Sequence, residues 1–177
     1  TMAVTIKPKK IYPVLFDAAV ALINSEDVNK INTGYLVLGA ICEGCAEKIK
    51  KNLQNPIMNV LIPKGLAHCA PEVRGAAINA LCYFSEHLIP DIFEYHSVVI
   101  PSLMKYIGDL SPKVVSKALI AIDVFFDGMD QEDILLYLAV VIPRLNEVIA
   151  SPNATPLMKA ASISAIGSAV QVAELKS

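Results

Sequence analysis

The sequence predicts an all-α fold, an α-α superhelix of about four two-helix repeats with eight antiparallel helices. Three observations predict it. First, an apolar residue followed by proline inside an apolar stretch occurs four times, at Tyr12-Pro13, Ile62-Pro63, Ile100-Pro101 and Ile142-Pro143, with intervals of 50, 38 and 42 residues. A period near 40 marks a helical-repeat array. Second, Pro71, Pro112 and Pro156 each open an Ala-rich stretch of helical periodicity, at intervals of 41 and 44 residues. Third, strand-like alternation of apolar and polar residues is missing. Such arrays present long binding surfaces, so binding is expected before catalysis.

The helices are expected in pairs. The first pair covers 9–24 and 27–50, with Leu36, Ala40 and Ile41 assigned to the buried stripe of its second helix, although no proline opens that helix. The next pair covers 55–69 and 71–88. Pro71 stands where no amide donor is needed, and Val73, Ala76, Ala77, Ala80, Leu81 and Phe84 recur at helical spacing. The third covers 91–108 and 112–128. Ser111 is placed as N-cap before Pro112, the stripe is Val114, Ala118, Ala121, Ile122 and Phe125, and Asp127-Gly128 ends the helix. The fourth covers 131–150 and 156–175, with Met158, Ala161, Ala165 and Ile166 inward. An interior proline removes a backbone bond, so its recurrence predicts a regular kink in each first helix. The repeats are bounded at about 9–51, 53–88, 90–129 and 131–176, within one solenoid segment over 1–177 that is read as a stretch of a longer array.

The composition fits close helix packing. Apolar residues make up 54% and charged residues only 18%. The longest uncharged runs, Ile31–Cys42 and Ala160–Ala173, fall short of the roughly 18 residues a membrane span needs, so no membrane partner is assigned. Lys7, Lys9 and Lys10 lead into an ordinary amphipathic stretch rather than a signal peptide. A net charge of −2 provides no general field for nucleic acid, and no basic, aromatic-bearing face appears. Nucleic acid is therefore not assigned as a partner.

Cys42-Glu43-Gly44-Cys45 is a C-x-x-C pair, and His68-Cys69 follows. A zinc site would need these groups to converge tetrahedrally, and a redox pair would need a strand–turn–helix setting. The pair instead lies in an apolar helical stretch, aligned with Cys82 and Ser85 one repeat later, and is read as small helix residues. No metal, cofactor or catalytic residue is assigned. No Gly-rich phosphate loop, nucleophile elbow or His-Glu-x-x-His motif occurs. His68, His87 and His96 sit near helix ends or turns with no pairing implied by spacing. The chain is read as a non-enzyme.

A helix with interior Pro, a turn Asp, then Val-Arg opening an Ala-rich helix resembles the HEAT repeat. Pro71-Glu72-Val73-Arg74-Gly75-Ala76-Ala77 carries its second half; Pro101, Asp109 and Val114 carry its full spacing. Val115 stands where the family usually has Arg, which breaks the Asp–Arg ladder of adjacent repeats. Arg74 through Asp91, then Tyr95-His96 and Val99-Ile100-Pro101, resemble middle repeats of importin-β family karyopherins. So do Ala121-Ile122-Asp123 through Met129, Tyr137-Leu138, Arg144-Leu145 and Ala165 through Ala169. The nearest branch in these words is the importin-four type, which imports ribosomal proteins and histones.

The resemblance implies a segment of a nuclear transport receptor, shuttling between cytoplasm and nucleus through the nuclear pore. Its implied partners are basic protein cargo such as histones and ribosomal proteins, with Phe-Gly nucleoporin repeats and Ran-GTP for the full-length receptor. In that family the second helices line the cargo-holding face. Subtracting the apolar stripe leaves Glu43 and Glu47 on the first such helix, Asn79, Cys82 and Glu86 on the second, and Asp123 and Asp127 on the third. Glu43, Glu47, Asn79, Glu86, Asp123 and Asp127 are the candidate cargo-binding residues: carboxylates and an amide suited to a lysine-rich segment through charge-assisted hydrogen bonds. Solvated helix surface is the alternative for each. Phe93, Tyr106 and Tyr137 are read as core. A static HEAT scaffold, of the kind that organises phosphatases, is the alternative for the whole chain.

Overall fold

The computed structural model describes residues 8–174; Lys7 and the end of the fourth repeat lie outside them. Among the described residues there is no strand. Among the same described residues eight helices follow one another: α1 Pro8–Ile23, α2 Val28–Ile49, α3 Pro56–Leu66, α4 Pro71–His87, α5 His96–Lys105, α6 Pro112–Asp127, α7 Gln131–Ala150 and α8 Pro156–Glu174. Short 3-10 turns at Lys50–Asn52, Asp91–Tyr95 and Tyr106–Gly108 lengthen α2 and both ends of α5 towards their expected bounds.

All four repeating prolines lie inside first helices: Pro13 in α1, Pro63 in α3, Pro101 in α5 and Pro143 in α7. The surrounding helices differ. α3 adopts the wider π hydrogen-bonding pattern, carried on by Ala67 N–H donating to the Ile62 carbonyl. α7 runs unbroken for 20 residues.

The helix starts follow the sequence signals, with one change of chemistry. Pro71, Pro112 and Pro156 open α4, α6 and α8. Asp27 caps α2 by accepting from the Asn29 amide at 2.9 Å. Thr155 Oγ1 accepts from Met158 N–H at 3.2 Å. Ser111 occupies the N-cap position, but its side chain makes no cap bond. Its backbone does the work instead: its carbonyl accepts from Val114 and Val115, and its amide donates to Asp109 Oδ1 at 2.8 Å. Gly128 likewise ends α6 for a reason other than the expected one. Its φ of −100° is open to any residue. A Cβ there would overlap the Phe93 ring, reaching Cε2 at 2.7 Å, so the glycine is required for space.

The chain divides into two compact units, Thr1–Ile92 and Phe93–Ser177. In the first, α1 packs on α2, α3 on α4, and the two second helices α2 and α4 on each other. Its centre is Tyr35, Leu38, Ile57, Leu61, Leu81 and Phe84, all fully buried. The Tyr35 hydroxyl donates to the Val60 carbonyl at 3.1 Å, which satisfies a polar group that would otherwise be costly to bury. In the second unit, α5 packs on α6, α7 on α8, and α6 on α8. Phe93 meets Phe125 edge-on, with centroids 5.1 Å apart at 80°, and Tyr106 is also buried. Buried Ala118, Ala121, Ala165 and Ala169 let α6 and α8 approach closely.

The stripes of α4 and α6 are buried as expected, and Ala161 and Ala165 are buried on α8, where Met158 and Ile166 are half-buried. The register on α2 differs. Leu36 is 51% exposed and Ala40 is exposed, while Ile41 is buried. The inward residues are Ile31, Tyr35, Leu38, Cys42, Cys45 and Ile49. This helix has no opening proline in its sequence from which to read the phase of the apolar run.

Candidate interaction face

The candidate residues fall on second helices. Glu43 and Glu47 lie on α2, four residues apart and so on one face; both are exposed. On α4, Glu86 is exposed and Asn79 half-buried. Since α2 and α4 pack together, these four belong to one two-helix surface of the first unit. On α6 of the second unit, Asp127 is exposed and Asp123 half-buried. The burial register aligns Glu43, Cys82 and Asp123 at intervals of 39 and 41 residues, and Glu47, Glu86 and Asp127 at the same intervals.

Two of the carboxylates are already engaged. Asp123 Oδ1 accepts from Ser168 Oγ at 2.7 Å, which ties α6 to α8. Glu47 lies 3.7 Å from the Lys50 ammonium. That ammonium also donates to the Ile89 carbonyl at 2.7 Å and lies 3.4 Å from Asp91. Lys50 is only 19% exposed and fastens the end of α2 to the segment after α4.

No family model matches the chain. It is 28% identical over 169 residues, 96% of its length, to the probable importin subunit beta-4 of Schizosaccharomyces pombe, of which it spans 16%. It is 33% identical over 106 residues, 60% of its length, to importin-4 of Mus musculus, of which it spans 10%. The solved structure of Kap121p bound to Pho4p superposes with a TM-score of 0.90 at 19% identity, covering 97% of this chain and 17% of that one. The chain is similar to importins in sequence, and its helical-repeat fold is that of the karyopherin structure.

Within this helical array, spacing did not reveal several side-chain arrangements. Tyr83 on α4 is 43% exposed and lies against Gly39 on α2, whose added Cβ would stand 2.7 Å from its Cδ2. His96 on α5 pairs with two residues of α7: Nδ1 lies 2.7 Å from the Tyr137 hydroxyl and Nε2 lies 3.4 Å from Asp133. Burial and the neighbouring Asp133 carboxylate raise the Tyr137 hydroxyl above its usual pKa. His68 Nδ1 accepts from the Ala70 amide at 3.0 Å, and the Arg74 guanidinium donates to the carbonyls of His68 and Cys69. These contacts shape the turn before α4.

The C-x-x-C pair is packed inward. Cys42 and Cys45 are buried free thiols, and Cys42 Sγ donates to the Leu38 carbonyl at 3.4 Å. Cys82 is only half-buried, so the expected alignment of Cys42 with Cys82 is one residue out of phase. Among the described residues, no group of three or more His, Cys, Asp or Glu is placed to hold a metal ion. Burial, with a smaller contribution from Cys45, pushes the Cys42 thiol far above its ordinary pKa, and burial raises Cys45 as well. The thiolate is the reactive form. Cys42 and Cys45 should therefore resist iodoacetamide at pH 8 in the folded chain, while exposed Cys69 is alkylated. Peptide mass spectrometry after a short pulse checks this; equal labelling of Cys42 and Cys69 would contradict it.

Proposed function

We propose that the chain is part of a nuclear transport receptor and that its second helices hold an extended basic segment of protein cargo for import. The carrying observation is the 28% identity to an importin subunit over 96% of the chain. The exposed carboxylates Glu43, Glu86 and Asp127 support it at residue level, because charge-assisted hydrogen bonds suit ammonium and guanidinium groups. Asp123 is weaker support, being committed to Ser168. The helix pairs α1/α2, α3/α4, α5/α6 and α7/α8 correspond to four repeats of the receptor. Kap121p has been solved bound to Nup53p and to RanGTP; for the full receptor of this chain, nucleoporin Phe-Gly repeats and Ran-GTP are the matching partners, with shuttling between cytoplasm and nucleus. A cleft of about 430 Å³ between the first helices α1 and α3 has a mixed lining, with Phe16, Val20 and Val60 beside Asp17, Asn24, Asn59 and Lys64; its apolar part is where a phenylalanine ring would sit.

The test is titration of the chain against a fluorescent lysine-rich histone-tail peptide and its charge-matched scramble, at low and physiological salt. Saturable binding that favours the native order is expected. Glu43→Lys with Glu86→Lys should weaken it about tenfold, since each exposed ion pair is worth up to about 1 kcal/mol and reversal adds repulsion. Unchanged affinity would remove both residues from the site. A static scaffold would instead hold a folded partner regardless of Ran-GTP, a difference to be read on the full receptor.

A further inference from the structure

Among the described residues, Tyr83 is the one exposed aromatic side chain; the other aromatics are buried or half-buried. It is exposed yet held. One side of the ring lies against Gly39, where any side chain would intrude. The His87 ring stacks nearly parallel to it, with centroids 6.4 Å apart at 6°. A ring fixed by the backbone of one helix and the next turn of its own loses little entropy when a ligand lands on it.

Its surroundings are acidic. Glu43 stands one turn beyond Gly39 on α2, and Glu86 one turn beyond Tyr83 on α4; both are exposed. Residues three and four apart share a helix face, so both carboxylates flank the ring's surface. Of the lysines at this end of α2, Lys50 is engaged with Glu47, Asp91 and the Ile89 carbonyl. An aromatic face attracts a cation through its quadrupole, and flanking carboxylates add to that attraction. The charge complement of this surface is a cationic side chain.

We propose that Tyr83 seats an arginine or lysine side chain of the bound basic segment and sets the preference between them. The assignment rests on the basic-cargo reading above. A guanidinium stacks on an aromatic face better than an ammonium and is less strongly hydrated, so the seat favours arginine.

The experiment titrates the full 177-residue chain with a lysine-rich histone-tail peptide and with the same peptide carrying arginine at every lysine. The variants are Tyr83→Phe, Tyr83→Leu and the double reversal Glu43→Lys/Glu86→Lys. Wild type should bind the arginine peptide more tightly, and Tyr83→Phe should behave like it. Tyr83→Leu should weaken binding about threefold to fivefold and erase the arginine preference. Gly39→Ala, which displaces the ring without removing it, should do the same, and it serves if Tyr83→Leu proves unstable by circular dichroism. Wild-type affinity and preference in Tyr83→Leu and Gly39→Ala, with loss of binding in the double reversal, would overturn the role of Tyr83 and leave the basic-cargo reading standing. No loss in the double reversal either would overturn both.

Discussion

Phe125→Ala should destabilise the second unit by about 3–5 kcal/mol, the range for deleting a buried aromatic. Phe125 is 1% exposed and makes the edge-on contact with Phe93, a geometry worth about 0.5–1.5 kcal/mol beyond burial. The cavity cannot easily close. Phe93 is also held by the α6 terminus at Gly128, which has no room for a Cβ. Urea titration followed by circular dichroism measures the loss, and hydrogen exchange should locate it in α5 and α6. Phe125→Leu should cost much less because it keeps most of the volume. A loss below about 1 kcal/mol for the alanine variant would mean that the ring is not packed as described.

Gly65→Ala should cost the first unit about 2–3 kcal/mol, near the top of the usual overpacking range. A Cβ at this end of α3 would overlap the Cβ of Ala77 and come within 2.8 Å of Tyr35 Cζ and Oη. Neither neighbour can yield cheaply. Ala77 Cβ is fixed by the α4 backbone, and Tyr35 is fully buried and bonded to the Val60 carbonyl. Moving Tyr35 would also forfeit that bond, worth about 1 kcal/mol. The double variant Gly65→Ala/Ala77→Gly should be more stable than the sum of its single changes, because the second change removes the obstructing atom. Simple additivity in thermal denaturation would contradict the clash.

Legibility in the sequence followed the anchors. Pro71 and Pro112 fixed the phase of α4 and α6, so every buried residue expected there is buried. α2 has no such anchor, and its apolar run Ile31–Cys42 allows more than one helical phase; the Leu36 assignment failed for that reason. Gly128 was legible as a helix end, but its cause was not, because the Phe93 ring comes from a different helix. The candidate face was legible to the same extent. Subtracting the apolar stripe located Glu43, Glu86 and Asp127 on the surface. It could not show that Asp123 is taken by Ser168 or that Tyr83 lies over Gly39, since those partners are about one repeat away in sequence.

The closely packed helices in each unit are sequence neighbours or next-but-one neighbours. Contacts this local are closed early and at small entropic cost, so such chains fold quickly. A hairpin can form while later residues are still leaving the ribosome, and its flank then templates the next. The same locality creates a hazard. A flank that accepts the next hairpin of its own chain also accepts the corresponding hairpin of another, the misassembly to which repeat proteins are prone. Crowded nascent chains, rather than slow closure of distant contacts, are where this fold is most exposed to failure.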